Sequence, residues 1–218
     1  VEHLCFTVSG LVVHNCGYGG SVGALKASGA VEMGIPESEL DGIVKSWRAA
    51  NPNIVKLWWD IGDAAMDLIE GRARVRHVGC IALSYQKDRL LICLPSGRLL
   101  VYPNARIGEN RFGGNSIVYE GVNSTTHQWD DLETYGPRLV ENIIQAIARD
   151  LLTEAILRIS KNPDCKIVAH VHDEIIIEAD PDKVTLDDMI KAMCVLPERG
   201  DGLILNAAGF TNAYYMND

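Results

Sequence analysis

The chain has no apolar run approaching the roughly 20 residues a membrane-crossing helix needs, so no membrane partner is expected. It has no Cys-x-x-Cys pair. Its six cysteines, at positions 5, 16, 80, 93, 165 and 194, are scattered, which argues against a zinc ribbon. Several lie within apolar runs, and the simplest expectation is reduced core thiols in a reducing cytosol. Positive charge is not in excess. The net charge is −9, which excludes a general nucleic-acid coat protein but not an enzyme that grips DNA through a local basic surface. Repeats and low-complexity linkers are missing too. The first residues, Val1-Glu2-His3, carry neither an initiator methionine nor a charged signal-peptide head, so the chain is expected to be a fragment or an excised product.

What is present is enough for a sizeable core: 218 residues, 47% of them apolar. Residues 4–13 read as short strands broken at Ser9-Gly10. From Cys16 to Val31 the spacing of Val22, Ala24 and Leu25 suits a helix, weakened by Gly17, Gly19, Gly20, Gly23 and Gly29. Pro36-Glu37-Ser38-Glu39 opens a helix that runs to Ala50, with acids in its first turn. Asn51-Pro52-Asn53 breaks it, and Ile54, Leu57, Trp58, Ile61, Ala65, Met66 and Ile69 mark a second helix whose Trp58-Trp59 pair is expected in the core. Strands are expected at 81–85, 90–94, 99–102 and 116–119, with a turn at Pro95-Ser96-Gly97. The longest helix is expected over 134–160, a further helix over 184–194, and a last strand at Leu203-Ile204-Leu205. The class is α+β.

The strongest functional signal is a greasy hairpin. Lys166-Ile167-Val168-Ala169-His170-Val171 and Ile175-Ile176-Ile177-Glu178 read as strands, and only His172-Asp173-Glu174 separates them. A carboxylate held between buried strands needs a cation or a donor, which makes Asp173 a candidate metal ligand. A second pattern, Val12-Val13 followed by Gly17, Gly19 and Gly23, imitates a dinucleotide-binding turn. The spacing fails, because the third glycine belongs at 22, which is Val, and the second strand with its terminal acid is missing.

Val171-His172-Asp173-Glu174-Ile175 resembles the motif C hairpin of family A DNA polymerases. Tyr135-Gly136-Pro137-Arg138-Leu139-Val140-Glu141-Asn142-Ile143-Ile144-Gln145-Ala146 resembles the palm helix that meets the primer–template minor groove in that family. Bacterial relatives space the Arg, Asn and Gln of this helix four apart; here Arg138 and Asn142 keep the step and Gln145 comes one early. Cys16-Gly17-Tyr18-Gly19-Gly20-Ser21-Val22-Gly23-Ala24-Leu25 resembles the second half of motif B in the fingers. Leu94-Pro95-Ser96-Gly97-Arg98 and Tyr102-Pro103-Asn104-Ala105-Arg106-Ile107 look like phage members. The resemblance covers about residues 16 to 218.

It implies a helical fingers portion over 16–75 and a palm portion over 76–218, with an antiparallel sheet and packed helices. It implies template-directed nucleotidyl transfer with two Mg²⁺ ions bridged by two aspartates, of which Asp173 is one. Glu174 then assists the metal site and His172 lies near the primer terminus. Tyr18 and Gly19 border the incoming deoxynucleoside triphosphate, and Arg138, Asn142 and Gln145 contact primer–template DNA. The other catalytic aspartate, in motif A, belongs upstream, so the chain is expected to be inactive alone and to need an N-terminal portion. A phage enzyme of this kind is expected in the host cytoplasm.

The junction Ser9-Gly10-Leu11-Val12-Val13-His14-Asn15-Cys16 resembles the C-terminal end of an intein, placing residues 1–15 in a splicing segment. Asn15 can cleave the bond after it by attack of its side-chain amide, His14 can assist proton transfer, and Cys16 can hold the transferred acyl group. His3, twelve residues before Asn15, stands where such inteins place a second histidine. Two further readings stay open: a split or truncated splicing module with the polymerase as passenger, and a metal-dependent hydrolase, which requires a complete site within this chain.

Overall fold

A computed structural model of the chain describes residues 6–8, 11–13, 16–110, 113–200 and 202–214. It is α+β, with four antiparallel sheets and five α-helices among the described residues. The chain divides into two compact units, Val1–Ile144 and Gln145–Asp218.

The first unit opens with a small hairpin of β1 (Phe6–Val8) and β2 (Leu11–Val13), as the break at Ser9-Gly10 predicts. The helix expected over 16–31 shrinks to a 3₁₀ turn at Cys16–Tyr18 and a short α1 (Val22–Ala27). The glycines explain the loss: their backbone freedom makes a helix start here too costly for a segment with few anchoring side chains. Helix α2 (Glu37–Ala50) begins after Pro36 with Glu37 and Glu39 in its first turn and Arg48 in its last, matching the helix dipole at both ends. It buries Leu40, Val44 and Trp47, one stripe at helical spacing. The Asn51 side chain donates to the Trp47 carbonyl (2.8 Å) and closes that helix, and Pro52 starts α3 (Pro52–Ile69). The buried stripe of α3 is Trp58, Ile61, Ala64, Ala65 and Leu68. The tryptophan pair divides: Trp58 is buried and Trp59 is 63% exposed, because neighbouring helical positions point about 100° apart.

A four-stranded meander follows, in the order β3 (Val75–Val78), β4 (Ile81–Gln86), β5 (Arg89–Cys93), β6 (Leu99–Pro103). Strands β4 and β5 join through Lys87 and Asp88, both at positive φ, as a tight two-residue hairpin turn demands. Ile81, Leu83, Leu90, Ile92, Leu94 and Tyr102 supply the buried side, and α3 packs on β3, β4 and β5. A second meander of β7 (Arg106–Glu109), β8 (Asn115–Val122) and β9 (Trp129–Thr134) packs on β6 through β8. There Tyr102 meets Tyr119 edge-on, with ring centroids 4.9 Å apart. The long helix is α4 (Gly136–Ile159), which begins in the first unit and ends in the second.

The second unit holds the remainder of α4, the hairpin of β10 (Cys165–Val171) and β11 (Glu174–Ala179), and α5 (Leu186–Met193). Among its described residues only Ala155, Ile159 and Val184 are buried apolar side chains. Helix α5 carries a capping box: the Thr185 hydroxyl receives the Asp188 backbone N–H (3.2 Å), and the Asp188 carboxylate receives the Thr185 N–H (3.1 Å). Arg158 donates to the carbonyls of Ala192 (2.6 Å) and Val195 (3.2 Å), tying α4 to the end of α5. The strand expected at 203–205 does not form. Leu203 and Ile204 are exposed (45% and 85%), and no strand among the described residues pairs with them. Among the described residues the expected core thiols are also not buried: Cys80 is exposed, and Cys93, Cys165 and Cys194 lie at intermediate depth. An apolar neighbourhood in sequence does not place a side chain in the core when the strand has an open face. No helix among the described residues is long and apolar enough to cross a membrane.

Candidate active site

The hairpin in the second unit forms as its flanks predict. Val171 pairs with Glu174, so the connection is the two residues His172 and Asp173, and His172 takes a left-handed φ of 50°. Asp173 therefore stands at the tip. Ile167 faces Ile177 and Ala169 faces Ile176, so Val168 is an extra residue, a β-bulge that bends β10 five residues before Asp173. The expectation of a carboxylate among buried strands is corrected: no residue of β10 or β11 is buried, and His172, Asp173 and Glu174 are all exposed. Alternation of Ile and Val shows a strand but not whether anything covers its faces. What holds Asp173 is the ladder and the turn, not a surrounding core.

Lys166 and Glu178 form an ion pair (2.9 Å) across the open end of the hairpin. Nearer the tip, the Arg149 guanidinium approaches the His170 Nε2 at 3.4 Å. A guanidinium only donates, so a hydrogen bond in this pair runs from Arg149 to the ring nitrogen. Arg149 and His170 were not legible as site residues, because they lie 21 residues apart. Asp173 and Glu174 are adjacent oxygen donors. They fall short of the six oxygens that Mg²⁺ takes, and among the described residues no group of three or more His, Cys, Asp or Glu could hold a metal ion.

The first unit carries the other predicted residues. Tyr18 closes the 3₁₀ turn, and Gly19 follows it with φ +79°. A side chain there is excluded twice, by that φ and because a Cβ would lie 2.5 Å from Cβ of Pro137. The turn thus rests on the first residues of α4. The Trp58 indole donates to the Gly17 carbonyl (3.1 Å), and Arg48 donates to the Gly20 carbonyl (3.5 Å). Trp58 stacks on Trp47 (centroids 5.9 Å apart, planes 9° apart), with the Arg48 guanidinium 5.9 Å from its ring centroid. Gly136 lies so close to the Trp58 carbonyl that a Cβ on it would overlap the carbonyl oxygen, and it would crowd the Gly62 Cα at 3.3 Å. None of these supports was visible in the sequence as part of a site.

On α4 itself, Arg138 is exposed and Asn142 half-buried, its amide donating to the Tyr102 hydroxyl (3.0 Å). Burial pushes the Tyr102 phenol up, and the Asn142 hydrogen bond opposes that shift. The helix is continuous through Gln145, which is exposed. Steps of four and then three residues still leave Arg138, Asn142 and Gln145 on one side of a helix with 3.6 residues per turn. The early glutamine thus stays in the stripe. His3, His14 and Asn15 lie outside the described residues, and Cys16 opens the 3₁₀ turn.

No protein-family model matches the chain, and no solved structure does. Over 203 residues, 93% of its length, the chain is 40% identical to a protein of Bacillus phage SP02 named DNA polymerase, and that stretch makes up 31% of the phage protein. The chain thus spans about a third of the length of the curated relative it matches, and along nearly all of its own length it is similar to a phage DNA polymerase.

Proposed function

We propose that residues 16–218 are the C-terminal fingers and palm portion of a phage-type family A DNA polymerase, interrupted in motif B by an intein whose last fifteen residues open the chain. The observation that carries this reading is the 40% identity to the phage protein, sustained over 93% of the chain rather than confined to one motif. The two-residue hairpin turn supports it, because it presents Asp173 and Glu174 at an exposed, rigid tip.

In this reading Asp173 and Glu174 supply part of the oxygen set for Mg²⁺, and residues outside this chain, the motif A aspartate among them, complete it. His172 lies beside the primer end. Tyr18 and Gly19 border the incoming deoxynucleotide, and the Arg138–Asn142–Gln145 stripe lies along the primer–template duplex. His3, His14, Asn15 and Cys16 carry the splicing chemistry that joins this portion to the upstream one. The complete enzyme works in the cytoplasm of the phage host.

The experiment is a graft. Residues 16–218 replace the matching stretch of the phage SP02 protein, and primer extension is followed with Mg²⁺. The graft extends primers, the 218-residue chain alone does not, and Asp173→Asn in the graft lowers the rate about a thousandfold, on the order of 4 kcal/mol of barrier. Extension that survives Asp173→Asn, or robust extension by the chain alone, overturns the reading. Mass spectrometry of the chain mixed with an N-terminal intein partner tests the splicing segment; a ligated product that begins its C-terminal half at Cys16 is expected.

A further inference from the structure

The segment Gly17-Tyr18-Gly19-Gly20 has one side chain with which to anchor four residues of backbone. Fixing such a segment is entropically expensive, so its position has to be imposed from outside. Three contacts impose it. The Trp58 indole N–H binds the Gly17 carbonyl (3.1 Å), Arg48 reaches the Gly20 carbonyl (3.5 Å), and the Pro137 ring fills the space where Gly19 lacks a side chain. Trp58 is itself packed on all sides: it is 2% exposed and stacked flat on Trp47. It acts in a second direction as well, because its backbone carbonyl abuts Gly136, the first residue of the helix that carries Arg138 and Asn142.

We propose that Trp58 is a positioning residue for nucleotide selection. Its side chain sets the Tyr18–Gly19 pair and its carbonyl seats the start of α4, so the surface bordering the new base pair and the residues that follow the duplex share one frame. This rests on the polymerase reading of Tyr18 and Gly19. Trp58 touches no substrate in this scheme; it acts through Gly17. An exposed or mobile tryptophan could not do this, nor could a buried one without a hydrogen bond to the turn.

The test uses the complete polymerase chain that carries residues 16–218. Trp58→Phe keeps an aromatic ring in the stack and removes the N–H. Trp47→Phe trims the other ring of the same stack and leaves the bond to Gly17 in place, so it reports the effect of packing alone. Trp58→Phe is expected to raise KM for the incoming nucleotide about tenfold with kcat changed less than about threefold, the pattern of a lost binding geometry. Trp47→Phe is expected to leave KM within about twofold. Amide hydrogen exchange at residues 18–20 is expected to rise in Trp58→Phe and not in Trp47→Phe. Equal KM changes in the two variants, or unchanged KM and exchange in Trp58→Phe while the wild type extends primers, overturn the positioning role alone. A wild-type chain that extends no primer overturns the polymerase reading and this role with it, while the exchange data still show whether Trp58 holds the turn.

Discussion

The glycine turn at 17–20 and the hairpin turn at 172–173 each present candidate site residues, and they are held by opposite means. The first has almost no side chains of its own and is clamped by a tryptophan, an arginine and a proline that arrive from other elements. The second is held by its own backbone ladder, with a left-handed residue at the turn and no buried side chain in either strand. The same contrast runs through their surroundings: nearly all buried apolar residues described belong to the first unit. Clamping from outside makes geometry sensitive to distant packing. Clamping by the ladder makes it sensitive to local backbone alone.

Three substitutions test that contrast. The largest effect is expected at Gly136→Ala, where a methyl group meets the Trp58 carbonyl and the Gly62 backbone, neither of which can swing aside. Urea unfolding is expected to show a loss of about 3 kcal/mol in the first unit. A loss below half of that means the α3–α4 approach is softer than the structure shows, and the contrast weakens.

The next is Thr185→Ala in the second unit, which removes the α5 cap and is expected to cost about 1 kcal/mol, read from the same denaturation curve. This site also has a pH signature. The Thr185 hydroxyl, then the Thr185 backbone N–H, hold the Asp188 carboxyl below the usual carboxylate range. A depressed folded value stabilises above the unfolded pKa of about 3.9, and that stabilisation is lost as pH falls through the folded value. Comparing wild type and Thr185→Ala at pH 6 and at pH 3 should show the difference between them shrinking in acid. A difference that grows in acid contradicts the cap.

The smallest effect is expected at His172→Gly. Relief of the positive φ, offset by the greater freedom of unfolded glycine, is expected to raise hairpin stability by about half a kcal/mol. Thermal melts resolve that sign. A clear loss of stability means the His172 side chain holds the turn, and the ladder alone does not.

The sequence exposed elements whose apolar residues repeat cleanly. Helices α2 and α3, the long α4 and the β10–β11 hairpin all lie close to where periodicity places them. It concealed β3, β7 and β9, because Val75-Arg76-His77-Val78, Arg106-Ile107-Gly108-Glu109 and Trp129-Asp130-Asp131-Leu132 are edge strands with charged, solvent-facing residues. It overstated burial at the hairpin, since a run such as Ile175-Ile176-Ile177 looks the same whether or not another layer covers it. The candidate acids and the α4 stripe were readable from local motifs. Trp58 was not, because it serves a carbonyl 41 residues away, and nothing local to a tryptophan names the acceptor of its N–H.

The bulge at Val168 sets how the hairpin can change in length. Every residue between it and the turn has its facing fixed relative to β11. Deleting Val168 alone restores a regular ladder, with 165–167 still opposite 177–179 and 169–171 still opposite 174–176. Deleting any one residue between the bulge and the turn instead slides His170 out of reach of Arg149 or re-aims Asp173. The strand therefore tolerates a change of length at Val168 itself and none between it and the turn, and the five-residue step from bulge to carboxylate works as a fixed ruler.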